Sequence, residues 1–248
     1  MCRARGAEGP RMGGARITIL ALETSASVCS VAVCRGREIL AESEVQGPKV
    51  HSRALPGLIG RALAEAGVPK RAMEGVAVAT GPGSYTGLRI GLATAKALAY
   101  ALGIPIRGVP TLEALAVGAG SRGEPVCSLL DAGRGGVYFA VYAVEDGRPR
   151  TIIPAVRAGL EEVLQELKGW RRQIFFTGDV AEKSWSTIAA GLSGLAGRGE
   201  RSLPRAAWVA DAASRRWEEG ETDDPLAILP CYLRPSADGH RRTPDGGG

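Results

Sequence analysis

Three stretches carry residue types that could bind a ligand or do chemistry. The first is Glu23-Thr24-Ser25, an acid beside two hydroxyls at the end of an apolar run. A lone carboxylate there could hold a metal-bound water or a nucleotide at the mouth of a cleft; it could equally stabilise its own turn. The second is TGPGSYTG, residues 80–87. Gly81 and Gly83 reach dihedrals closed to other residues and Pro82 fixes one φ between them, so the turn can be tight and stiff. Where such a turn opens a helix, free amides and the helix dipole favour an anion. Ser84 or Thr86 could cap that helix. The plainer alternative is a strand–turn–helix corner whose glycines serve only geometry. The stretch is neither a Walker A loop, lacking GxxxxGK[ST], nor a dinucleotide fingerprint, lacking the GxGxxG spacing. The candidate ligand-binding set is Glu23, Thr24, Gly81, Gly83 and Thr86. The third stretch is DAGRG, 131–135. Asp131 and Arg134 are either solvated turn charges or contacts across a cleft.

Several classes of chemistry are excluded by what is scarce. The chain of 248 residues has two histidines, His51 and His240, so HxxxH and HExxH metal centres are out. A Mg²⁺ site built from carboxylates stays open. His51 precedes Ser52, but neighbours at a helix start point apart and make a poor base–nucleophile pair. The five cysteines are scattered, with no CxxC pair and no secretory leader, which predicts a reduced, cytoplasmic protein. Four arginines against one glutamate in the first sixteen residues supply +3 of the net +5. The remaining +2 does not demand a nucleic-acid surface, and aromatic residues are only 5% of the chain. No run of eighteen apolar residues predicts a membrane span.

The elements that must position these residues follow from periodicity. Residues 1–16 are glycine- and arginine-rich without period and are predicted to be disordered, with Met12 a credible alternative start. Residues 17–23, 28–34 and 37–45 are three consecutive strands. A helix runs from 51 to about 66, with Ser52 as its N-cap and Leu55, Leu58, Ile59, Ala62, Leu63 and Ala66 as its apolar stripe. A buried strand at 76–79 enters the glycine turn. From Thr86 to Leu102 the spacing of Leu88, Leu92, Ala95 and Ala99 is helical. Gly87, Gly91 and Ala95 form a second row almost without side chains, which lets another backbone approach. A strand at 104–109 and a helix at 112–117 follow, then a loop at 118–125 that is a candidate boundary. Strands at 126–131 and 137–144, a helix at 160–167, a strand at 173–177 and a helix at 205–219 complete the pattern. Residues 221–235 are extended and 236–248 form a loose tail. Three strands followed by βα units argue for an α/β fold with a mixed sheet, and the second strand set argues for two lobes.

Several segments together resemble the TsaB (YeaZ) family of tRNA threonylcarbamoyladenosine biosynthesis. They are ILALETSASVCSVAV (19–33), HSRALPGLI (51–59), the long stretch 75–116 around TGPGSYTGLRIGLATAKALAYAL, LLDAGRGGVYFAVY (129–142) and ILPCYLRP (228–235). The resemblance implies a two-lobed actin/Hsp70/sugar-kinase (ASKHA) fold, with an N-terminal lobe at 17–110 and a C-terminal lobe at 111–220. It implies a non-catalytic cytoplasmic subunit that pairs with a TsaD homologue, is joined by a TsaE homologue, and meets tRNA only through that complex. The group moved is threonylcarbamoyl, to adenosine 37. The family pairs through the helices of its first lobe, as a homodimer when TsaD is absent. Carried over, the interface residues are Leu55, Leu58, Ile59, Ala62, Gly87, Gly91 and Ala95, and a bulky residue at 91 should abolish pairing while leaving the monomer folded. Both stripes could instead bury only against their own sheet. No cofactor is required, and weak ATP or ADP binding is expected at or near the dimer interface. Departures are Glu23, where the family usually has Asp, and DAGRG in place of DARRGEVY. The alternative function is a weak ATPase or a glycoprotease-like hydrolase of the same fold.

Overall fold

The computed structural model describes residues 7–8, 16–47, 50–120, 123–200 and 203–233. Strands β2 (Thr18–Glu23), β3 (Val28–Arg35) and β4 (Glu38–Gln46) form the expected meander. Helix α1 (His51–Glu65), β5 (Gly75–Gly81), α2 (Tyr85–Leu102) and β6 (Ile106–Pro110) follow. The first sheet has the order β4-β3-β2-β5-β6, with β2, β5 and β6 parallel and β3 and β4 antiparallel. Alternation on its strands separates two cores. Leu20, Leu22, Val31, Val33, Val76 and Val78 face α1 and α2. The opposite face is floored by Ile19, Ala21, Ala32, Ala77 and Ala79.

A second sheet repeats that plan. Helix α3 (Thr111–Val117) leads to β7 (Pro125–Asp131), β8 (Gly136–Glu145) and β9 (Arg148–Gly159), then α4 (Leu160–Leu167), β10 (Ile174–Thr177), α5 (Asp179–Lys183), α6 (Trp185–Gly191) and β11 (Ala196–Arg198). Its order, β11-β10-β7-β8-β9, matches the first sheet strand for strand. Two of these strands escape the sequence pattern. β9 is only half-buried and carries no clean alternation, and β11 is three residues long.

Helix α7 (Ala206–Glu218) corrects the expected lobe boundary. Instead of closing a second lobe at 111–220, it returns to the first sheet and covers the small-residue face. Ala206, Val209, Ala210, Ala213 and Trp217 are buried there, and a Cβ on Gly75 would sit 3.0 Å from the Trp217 ring. Small residues on both partners let helix and sheet approach closely. α3 lies between the lobes, its Leu112, Leu115 and Ala116 packing with Leu130, Ala140 and Tyr142 of the second sheet.

Three further expectations are corrected. Ser52 is not the cap of α1: Val50 occupies that position, without a side-chain cap bond, and Ser52 is exposed inside the helix. The N-terminal extension is not wholly irregular, since β1 (Ala7–Glu8) pairs antiparallel with β12 (Glu221–Thr222). The loop expected at 118–125 is partly ordered, with Ala119 buried and its carbonyl accepting from the Glu200 amide at 3.1 Å. The tail expected at 236–248 lies outside the described residues.

Candidate functional site

The end of β2 and the start of α2 form one packed knot. Glu23, Thr24 and Ser25 are almost fully buried rather than facing an open cleft. The Ser25 amide donates to Glu23 Oε1 at 2.5 Å, and the Ser84 amide donates to the Ser25 carbonyl at 2.7 Å. The Thr24 hydroxyl donates to the Gly87 carbonyl at 2.8 Å. Ser84 caps α2, its Oγ accepting from the Gly87 amide at 3.2 Å, while Thr86 is exposed and turned away. A Cβ on Gly83 would collide with the Ser25 carbonyl, one on Gly87 with the Thr24 carbonyl, and one on Gly91 with the Thr24 hydroxyl. Gly81, at φ 106°, is covered by the Cys231 carbonyl and Leu88. Four of the five candidate ligand residues are therefore brought together, but they pack on one another. The space a phosphate would need beside Gly83 and Gly87 holds the chain's own backbone, so the turn does not fit a nucleotide cradle.

Burial dominates the electrostatics of this knot. It pushes the Glu23 carboxyl up to about 7 against the opposing bond from Ser25, and Oε2 has no hydrogen-bond partner. His51 is buried at the start of α1. Its pKa is lowered by burial, with the backbone bond to Ala26 opposing, and its Nδ1 is unpartnered.

The expected interface residues take the opposite orientation from the one assigned. Leu55, Leu58, Ile59, Ala62, Gly87, Gly91 and Ala95 are all buried within the chain. Their stripes face the first sheet and Thr24, which satisfies the apolar period without a partner. What α1 and α2 show outward is a different set: Pro56, Gly57, Gly60 and Ala64 on α1, and Ala93, Ala97 and Tyr100 on α2. A Cβ on Gly57 or Gly60 would meet nothing within 4 Å. Exposed Arg53, Arg61 and Arg89 flank this smooth surface. The sequence signal was present, since 93 and 97 are the complement of the buried 88, 92, 95 and 99.

A strap over 223–233 runs along α2. It begins where the Asp223 amide donates to the Ile106 carbonyl and Asp223 Oδ2 accepts from the Gly108 amide at 2.8 Å. Ile228 plugs the first core. Lys96 Nζ donates to the Leu226 and Ile228 carbonyls at 3.3 and 3.1 Å. The Cys231 amide donates to the Thr80 carbonyl at 2.7 Å. At the far end Arg89 lies 4.0 Å over the Tyr85 ring and donates from Nε to the Tyr232 hydroxyl at 3.1 Å, with the two tyrosine rings 5.1 Å apart. None of these partners was singled out from sequence, because 85 and 232 are joined only by the fold.

The hairpin between β7 and β8 is a turn held by its own charges. Asp131 Oδ1 accepts from the Gly133 amide at 2.7 Å, and the Asp131 amide donates to Asp179 Oδ1 at 3.1 Å. Arg134 occupies the left-handed region at φ 54° and is exposed. Among the described residues, no group of three or more His, Cys, Asp or Glu could hold a metal, and no helix is long and apolar enough to cross a membrane.

Comparison with known proteins gives these features a context. A family model described as TsaD, tRNA N6-adenosine threonylcarbamoyltransferase, matches residues 43–174. The tRNA threonylcarbamoyladenosine biosynthesis protein TsaB of Bacillus subtilis is 33% identical over 221 residues, covering 88% of this chain and 94% of its own. The structure of YeaZ from Pseudomonas aeruginosa superimposes with a TM-score of 0.72 at 28% identity, covering 88% of this chain and 100% of that one. Component A of (R)-2-hydroxyglutaryl-CoA dehydratase from Acidaminococcus fermentans aligns with a TM-score of 0.51 at 13% identity, a likeness of fold alone. The architecture is the two-lobed actin/Hsp70/sugar-kinase one.

Proposed function

The chain belongs to the TsaB (YeaZ) family of tRNA threonylcarbamoyladenosine biosynthesis, a family of non-catalytic accessory proteins, and we propose that it acts by docking a catalytic TsaD-type subunit on the outer face of α1 and α2. The observation that supports this reading is the exposed floor of Gly57, Gly60, Ala64, Ala93 and Ala97. Small residues on two adjacent helices let partner helices approach closely. Their apolar atoms gain on burial at about 25 cal/mol per Å².

In this reading the subunit contributes surface and not a reacting group. The TsaD homologue carries the transfer of threonylcarbamoyl to adenosine 37, a TsaE homologue joins the assembly, and tRNA is met through the complex. The same face forms a homodimer when the catalytic subunit is absent. ATP or ADP, when bound, sits at or near the paired interface, because the glycine turn is filled by Thr24 and Ser25. A weak ATPase or glycoprotease-like activity is not favoured by any cluster in the described residues: Glu23 is buried, and His51 and Ser52 diverge.

The test is copurification with the TsaD homologue, followed by a tRNA modification assay with and without this chain. Modification should depend on it. Equal modification in its absence would refute the accessory reading.

A further inference from the structure

We propose that the strap 223–233 is the second half of the docking surface, and that the catalytic partner covers it with an apolar ridge edged by carboxylates. This inference rests on the docking reading and extends it beyond the helices.

Six large apolar side chains are exposed among the described residues, and five of them lie on α2 or the strap: Tyr85 54%, Tyr100 80%, Leu226 79%, Leu229 72% and Tyr232 45%. They form one band. Lys96 bonds the Leu226 carbonyl and stands one helical turn before Tyr100. Tyr232 touches Tyr85 at the other end. The buried Ile228 anchors the middle of the strap, and the exposed Leu226 and Leu229 lie on either side of it in the chain. Lone exposed leucines need no explanation, but five large apolar side chains gathered on one helix and on a strap bonded at 80, 89, 96, 106 and 108 mark an interaction surface. The band is continuous with the outer face of α2 through Tyr100.

Charge selects the occupant. The segment 85–102 contains Arg89 and Lys96 and no acid, and α1 adds exposed Arg53 and Arg61. Against these four cations stand two nearby carboxylates, Glu65 and Asp224, so the surface stays net positive. Glu65 Oε2 accepts from the Ser43 hydroxyl at 3.2 Å, and Asp224 Oδ1 accepts from the Leu226 amide at 2.8 Å. A second copy would set cation against cation, so a homodimer on the helix face gains nothing from covering the strap. An RNA would match the charge and the tyrosines but not two exposed leucines. A protein with an apolar centre and an acidic edge satisfies both features, with rim charges acting mainly on association rate.

The experiment titrates the full chain against its TsaD homologue by calorimetry at 50 and 300 mM salt, which shortens the Debye length from about 14 to about 6 Å. The variants are L226D/L229D, R89E, Y100S and A93R, each checked by thermal melting. L226D/L229D should weaken binding at least tenfold with an unchanged melting temperature. Tyr100 belongs to α2, so Y100S reports on the helix face, and if the leucine pair unfolds the single variant L226S reads the strap. R89E should weaken binding and flatten its salt dependence. If A93R abolishes binding while L226D/L229D, or L226S in its stead, binds as wild type, the strap inference falls and the docking reading stands. If all four bind as wild type, the docking reading itself falls. Loss of only self-association, or only tRNA retention, in the strap variants would overturn the inference by naming another occupant.

Discussion

Thr24 and Gly87 are locked together: the threonine hydroxyl donates to the glycine carbonyl at 2.8 Å, and the threonine carbonyl stands where a Cβ on residue 87 would be. This contact decides what the glycine row is for. Ala in place of Gly at mid-helix would normally gain about 1 kcal/mol. Here the added methyl meets backbone, which cannot swing aside. Gly87→Ala should therefore destabilise the protein by about 3 kcal/mol or more, read as a shift of the urea midpoint. Gly91→Leu should do the same through the Thr24 hydroxyl, unfolding the monomer instead of sparing it.

The outward residues should behave in the reverse way. Ala97→Arg places a long cation on an exposed helix position and should leave the melting temperature within a degree or two of wild type. It should abolish copurification with the catalytic partner, and light scattering should report a monomer at concentrations where wild type pairs. Retained pairing would place the interface elsewhere.

Glu23 imposes a pH dependence of unusual sign for a carboxylate. Its folded pKa, about 7, lies above its ordinary value of 4.5. Between those values the folded state holds a proton that the unfolded state has released. Stability should therefore fall as pH rises from about 4.5 through 7 and level off above, by up to roughly 1.4 kcal/mol per pH unit. Glu23→Gln should remove that slope. Paired denaturant titrations at pH 5 and pH 8 measure it, and parallel curves for both proteins would contradict the assignment.

The ion pair between α3 and α7 should be costly to break and cheap to replace. Arg216 meets both oxygens of Glu113 at 2.5 Å, and the Glu113 side chain is 11% exposed. Removing one partner leaves a buried charge unpaired. Arg216→Met, which strands the buried Glu113 carboxylate, should cost about 3 kcal/mol, while Glu113→Leu with Arg216→Met should recover much of that loss. Thermal melting of the two variants against wild type decides it.

Much of the fold was legible because its period is clean. The meander at 17–45, the apolar stripe of α1 and the helix after Ser84 follow from spacing alone. β9 was not legible, because a half-buried edge strand lacks the alternation that marks one buried face. The destination of α7 was not legible either. Periodicity shows which side of a helix is buried but not which sheet buries it, and Ala206, Ala210 and Ala213 suit any close-packed floor. The candidate site shows the same limit. A row of glycines announces a close approach, and only the fold reveals that the visitor is Thr24. Tyr85 and Tyr232 are invisible as a pair in one dimension.

The route of α7 back to the first sheet has a consequence for synthesis. Residues 17–110 supply every strand of that sheet, yet the face made by Ile19, Ala21, Ala77 and Ala79 stays open until Trp217 has been translated. The half made first cannot finish folding first. A nascent chain must carry an uncovered alanine-rich surface through the synthesis of residues 111–205, and the first lobe matures only once α7 has left the ribosome.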